Sequence, residues 1–302
     1  MKEFAMLMRR EIWENPAFWV TMLVVSLLFL GSGIPQGLYH LGREVGFSEA
    51  IMHLAEAPEG ALGGIYSAVA VIIGVIFNAI MLFVLFFYLL DALYADRKDR
   101  SILFWKSLPV TDTQTVLSKL VTAMFVIPAY ALAAILGTFL VLLVVVTVVA
   151  WMGGGSAWGL IWSQVPFIQI VMFLVYAFVV QSLWWLPLIG WALFASAFAR
   201  RTPFLWVVLP PVVVVLLEQT LFASHRFAEW LGDRFVGVFP LAIRDEDFQV
   251  EIDDDRFEVL GEITQLIDPT PLLTSPGLWV GFVIGGAFIA GAIWLRRYRD
   301  ES

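Results

Sequence analysis

Six long apolar stretches dominate the chain, at about 17–34, 65–90, 118–150, 167–199, 203–222 and 277–295, with polar segments between them. A helix crosses the hydrocarbon core of a bilayer with roughly 17–25 residues, so each stretch is long enough to span. The third and fourth exceed that length, which predicts tilting, kinking or projection beyond the bilayer, with Pro128 and Pro187 as kink sites. Pro210-Pro211 removes two amide donors from the fifth and should bend or interrupt it. Ahead of the first stretch, Phe4, Leu7, Met8 and Ile12 recur at helical spacing, while Lys2, Glu3, Arg9, Arg10 and Glu14 occupy the other side. That pattern predicts an interfacial helix over 1–14, ended by Asn15-Pro16. Gly31-Ser32-Gly33-Ile34-Pro35 does not make a small-x-small cleavage site, so the first stretch reads as a retained span.

The intervening segments differ in character. Residues 35–64 hold Ser48-Glu49-Ala50-Ile51-Met52-His53-Leu54, which predicts a short capped surface helix. Residues 151–166 are Gly-rich and uncharged. In 223–276, Phe248, Val250 and Ile252 alternate with polar residues, as do Phe257 and Val259, around Asp253-Asp254-Asp255; this predicts a small β-hairpin. The sixth stretch opens with Ser275-Pro276, a cap followed by a first-turn proline. It continues as Gly277-x-x-x-Gly281-x-x-x-Gly285, a small-residue stripe that admits another helix closely. The expected fold class is an all-α membrane protein with six transmembrane helices. To these are added an N-terminal interfacial helix and a small external segment between spans five and six, and 1–302 form one transmembrane domain.

Composition agrees with lipid as solvent: 60% of residues are hydrophobic and 15% charged, against about one half and one quarter in soluble domains. The net charge of −8 is local, because 223–276 alone carries twelve acids and four arginines. No strongly basic region exists, which argues against nucleic-acid binding. With both termini in the cytoplasm, thirteen Lys/Arg lie inside and five (Arg43, Arg226, Arg234, Arg244, Arg256) outside, as the positive-inside rule asks. The absence of cysteine excludes disulfides and thiolate chemistry.

Catalytic motifs are missing. There is no G-x-x-x-x-G-K-[ST] phosphate loop and no H-E-x-x-H, and His40, His53 and His225 are far apart. The segment around Ser156 is not a G-x-S-x-G elbow. The acids of 245–255 lack the Gly and terminal Glu of an EF-hand loop and read as a solvated turn. Asn78, Gln181 and Glu218 are polar positions within or near the ends of spans. Each either lines a substrate path or serves interhelical hydrogen bonding and interfacial exposure. No series of buried carboxylates crosses several spans, which weakens a proton- or ion-coupled carrier.

The most informative segment follows the second span. In Asp91–Asp112 charges crowd the start, including Asp96, Arg97, Lys98 and Arg100, and then Ile102, Leu103, Phe104 and Trp105 form an apolar run before Lys106 and Ser107-Leu108-Pro109-Val110. A short helix with an aromatic knob and flanking charges suits a groove on a soluble partner, or else Trp105 anchors the loop in the interface. Thr111 or Asp112 can cap the next helix. The segment resembles the loop between spans two and three of type-2 ABC exporter permeases, commonly E-R-E-x-G-T-L-E-x-L-L-S-L-P-V-S. Asp96, Arg97, Ser101, Ile102, Ser107, Leu108, Pro109, Val110 and Thr111 match in type and spacing, whereas Arg100 replaces a Gly, Leu103 a Glu and Trp105-Lys106 a Leu pair. The N-terminal helix, the six spans and the long segment between spans five and six also resemble that family.

The resemblance implies a permease subunit of an ATP-driven exporter in the bacterial inner membrane, with 94–108 as the coupling helix. It implies two copies of a separate ABC ATPase and a second permease subunit, as a homodimer, as partners, in contact with membrane lipid. It also implies no cofactor or catalytic residue on this chain, since ATP and Mg belong to the ATPase. A stand-alone secondary transporter or channel is the alternative from a different class, and a membrane anchor displaying the acidic segment is a third.

Overall fold

The computed structural model describes residues 2–56, 60–99, 110–236, 249–253, 256–260 and 267–298. The chain is almost wholly helical. Among the described residues, six helical runs are long and apolar enough to cross a membrane: Ala17–Glu44, Ala61–Lys98, Asp112–Met152, Trp158–Trp184, Pro203–Phe222 and Pro276–Tyr298.

Helix α1 (Lys2–Glu14) closes where Asn15 Nδ2 donates to Glu11 O at 2.9 Å, just before Pro16. The first run begins as α2 (Ala17–Leu28), widens into a π turn at Phe29–Gly33 and continues as α3 (Ile34–His40). The short helix α4 (Phe47–Ala55) covers the segment that Ser48 was expected to cap. Helix α5 (Ala61–Asp91) is 31 residues long, about 46 Å at 1.5 Å per residue, and α6 (Tyr94–Lys98) follows it. Helix α7 (Asp112–Val121) opens with a capping box: Gln114 N donates to Thr111 Oγ1 at 3.2 Å, and Thr111 N donates to Gln114 Oε1 at 3.0 Å.

The two longest stretches change geometry beside their prolines. A π turn at Thr122–Val126 leads into α8 (Ile127–Met152), with Pro128 in its first turn. Helices α9 (Phe167–Trp184) and α10 (Leu186–Phe198) meet at Trp185, with Pro187 in the first turn of α10. Helix α11 (Pro203–Phe222), in contrast, is not interrupted at Pro210-Pro211. Its neighbour replaces one of the two lost donors. Val207 O, the acceptor that an amide at position 211 would have used, receives Trp191 Nε1 of α10 at 2.9 Å. Similarly Met124 O, four residues before Pro128, receives Ser182 Oγ of α9 at 2.8 Å. Donors from adjacent helices are what lets proline persist where water is absent.

Helices α5, α8, α9 and α10 supply most of the core, where Ile73, Phe77, Ile135, Phe139, Leu143 and Leu193 are 1% exposed or less. Helices α2 and α11 are peripheral: Phe18 and Met22 are buried on the first, Val207 on the second. Beyond α11 come α12 (Arg226–Val236), the antiparallel strands β1 (Gln249–Asp253) and β2 (Arg256–Leu260), α13 (Thr270–Thr274) and α14 (Pro276–Tyr298). The strands place Val250 opposite Val259 and Ile252 opposite Phe257. Helices α10 and α14 run in the same direction and meet through glycine. A Cβ on Gly190 would sit 2.8 Å from Gly285 O, and one on Gly285 would sit 3.0 Å from Leu186 O. The glycine stripe is thus spent on packing inside the chain.

Helix α12 was not foreseen. Phe227, Trp230, Leu231 and Arg234 recur at helical spacing and turn one face toward the bundle. Its first turn is capped by Glu218, which accepts from Phe227 N and Ser224 Oγ, both at 2.9 Å. Near its far end Arg234, 1% exposed, donates from Nη1 to Trp184 O at 3.0 Å and from Nη2 to Gly277 O. The guanidinium lies 4.1 Å from the Trp184 ring centroid and 5.2 Å from that of Trp230.

Candidate functional site

The segment that leaves α5 is fastened before it reaches the residues expected to meet a partner. Leu93 N and Tyr94 N donate to the buried Ser196 Oγ of α10 at 3.0 and 3.1 Å. Arg97 Nη2 donates to Ser196 O at 2.6 Å and Ala199 O at 2.8 Å. A helix leaves its last carbonyls without intrahelical partners, and a cation there is doubly favourable. Arg97 therefore closes the end of α10 and ties α6 to it.

Asp96 faces the other way, into a buried ion network. Its Oδ2 receives Arg296 Nη1 from the end of α14 at 3.1 Å, and its Oδ1 receives Arg10 Nη2 from α1 at 3.3 Å. Arg296 Nε also donates to Asp112 Oδ1 at the start of α7, at 3.1 Å. One layer away, Glu11 of α1 receives Lys119 Nζ of α7 at 2.9 Å and Tyr88 Oη of α5 at 2.9 Å. Glu11 is 1% exposed and both Asp96 and Lys119 are 4% exposed. Removing one member of such a pair leaves an uncompensated buried charge, at a cost of about 3–5 kcal/mol. Five elements, α1, α5, α6, α7 and α14, are joined at this end of the bundle. Beside the network lies a polar recess of about 400 Å³ between the start of α7 and the end of α14, with Thr111, Asp112, Arg296 and Arg297 in its wall.

Of the residues expected to contact a partner, Asp96 and Arg97 are turned inward onto this network and onto α10, and Lys98 is exposed at the end of α6. Arg100, Ile102, Phe104, Trp105 and Lys106 lie outside the described residues. The three polar span positions are not brought together: among the described residues no hydrogen bond joins any two of Asn78, Gln181 and Glu218. Asn78 is half-buried on α5 and its Oδ1 has no hydrogen-bond partner among the described residues. Gln181 is half-buried on α9, and Glu218 is engaged as the cap of α12.

Sequence reasoning passed over Glu11, Tyr88, Lys119, Ser196, Arg296 and Arg234. For Glu11 a signal existed, since it follows Leu7 by one helical turn and so stands on the apolar face of α1. Lys119 likewise sits at the head of an apolar run. Nothing local marks Ser196, whose role depends on a residue 103 positions away. Comparison of the chain with protein-family models, with curated proteins and with solved structures gave no match.

Proposed function

We propose that the chain is the six-span permease subunit of an ATP-driven exporter, working as a pair with two copies of a separate ATPase. Both termini are on the cytoplasmic side of a bacterial inner membrane, as the distribution of Lys and Arg favours. ATP hydrolysis belongs to the partner, and this chain supplies the path. Phe104 and Trp105 fill a groove on the ATPase, because large apolar side chains on a charged loop gain nothing from water.

The observation that carries this proposal is the double anchorage of α6. Asp96 and Arg97 attach the root of the coupling segment to α14, α1 and α10 at once. A push on residues 99–111 is thereby delivered to three helices rather than dissipated in a loose loop. Of the three polar positions, Asn78 retains the path role, since its Oδ1 has no partner among the described residues, whereas Glu218 is committed to α12.

Trp105→Ala tests the proposal. Removing an aromatic anchor from the centre of an interface costs about 2 kcal/mol or more, which is more than tenfold in affinity. The variant should insert and fold normally while losing co-purification of the ATPase and transport-linked ATP turnover. Unchanged ATPase binding and turnover would assign Trp105 to the lipid interface and refute the coupling role. A wild-type chain that transports after purification without any ATPase would make it a stand-alone carrier.

A further inference from the structure

We propose that the cavity beneath α12 holds a hydrocarbon chain of a bilayer phospholipid. The cavity measures about 470 Å³ and lies between α10, α11, α12 and α14, within the 300–1,000 Å³ range of small-molecule sites. Three prolines, Pro187, Pro210 and Pro211, contribute to its wall. The remaining wall is apolar, with Leu188, Trp191, Val214, Trp230, Ile284 and Phe288 prominent.

Three observations select the occupant. Trp191 has already given its indole N–H to Val207 O, and no charged side chain lines the space. Water would find no partners there, and apolar cavities of this kind stay dry. Second, three of the four elements around it include or continue runs suited to crossing a membrane, so the surrounding medium is hydrocarbon. Third, Val214 is at once a wall residue and 45% exposed, with Val213 and Leu217 exposed beside it. The space therefore opens sideways onto the apolar flank of α11, the route by which an acyl chain enters. The roof does not need to move. α12 is pinned at one end by Glu218 and at the other by Arg234. This proposal is independent of the permease reading and holds whether or not an ATPase partners the chain.

The test uses the full chain in phosphatidylcholine nanodiscs, a small fraction of whose lipid carries a diazirine midway along one acyl chain. After photolysis, peptides containing Leu188, Val214 or Ile284 should be labelled several-fold more than the exposed Leu27 and Leu28 of α2, which report ordinary lipid contact. Ile284→Trp, which fills the space, should reduce that excess to the α2 level while leaving α2 labelling unchanged. Wild-type labelling no greater at the cavity than on α2 overturns the proposal without recourse to any variant. A parallel sample receives a single-chain diazirine amphiphile from the aqueous side. Cavity labelling by that probe alone, with none from the phospholipid, overturns the assigned occupant.

Discussion

At the end of the bundle where α1, α6, α7 and the last turn of α14 meet, buried charges face opposite charges: Glu11 with Lys119, Asp96 with Arg296. At the other end Arg234 is buried as completely, and it is held by two backbone carbonyls and two indole rings. Among the described residues it has no carboxylate in ion-pair contact. Burial lowers its pKa from the ordinary value, yet a guanidinium stays charged over the whole accessible range. The contrast teaches that the two ends solve different problems. Paired charges join elements distant in sequence and are only as strong as their weakest member, because each partner is stranded when the other goes. A carbonyl clamp needs no counter-charge but demands the forked shape of arginine, and it fixes geometry rather than balancing a field.

The largest expected effect is at the paired end. Glu11→Ala strands the Lys119 ammonium and should destabilise the protein by about 3–5 kcal/mol, read as a large fall in the detergent-solubilised unfolding temperature or as loss of folded yield. Adding Lys119→Met should recover the part of that loss due to the stranded ammonium, while the space left at position 11 and the unpaired Tyr88 hydroxyl keep the rest. A double variant as unstable as the single one would refute the pairing.

Lysine substitution sharpens the comparison at intermediate size. Arg234→Lys keeps the charge but loses the fork, so one of the two carbonyls loses its charged donor, for about 2–3 kcal/mol. Arg296→Lys should cost less, since an ammonium still meets Asp96 electrostatically. Thermal unfolding of the two variants side by side checks the order, and equal losses would erase the distinction between clamp and pair. The smallest effect is Gly281→Ala. A methyl there would sit 2.9 Å from both terminal nitrogens of Arg234. Admitting it means shifting the clamped guanidinium by a few tenths of an ångström, so the expected cost is about 1 kcal/mol or somewhat more, within the range for overpacking. The Arg234→Met background should abolish even that, which a double-mutant cycle measures.

How much of this was legible beforehand varies by element. Six apolar stretches, the cap at Thr111 and the break near Pro187 follow from periodicity and local stereochemistry, which act within a few residues. Helix α12 escaped because 223–276 was weighed by its net charge, although Phe227, Trp230 and Leu231 already carried a helical repeat. Asp96 and Arg97 were legible as charged but not as inward-facing. Their direction is set by Arg296 and Ser196, which lie 200 and 99 residues further along. The continuity of α11 through two prolines was illegible for the same reason, since the donor that preserves it belongs to another helix.

That borrowed donor gives α11 a particular mechanical character. A helix whose own ladder is complete bends or tilts without reference to its neighbours. Helix α11 lacks two rungs, at Pro210 and Pro211, and Trp191 on α10 supplies a donor to the acceptor left by the second. While the two helices stay in contact, the Val207 carbonyl has its donor; separating them would strand it in an apolar medium, so a bend at Pro211 and movement away from α10 carry a shared cost. Sliding and bending are therefore one motion for this pair. Because α10 is also packed on α14 through glycine and tied to α6 through Arg97, the Val207 carbonyl of α11 depends on contacts that run as far as the charged end.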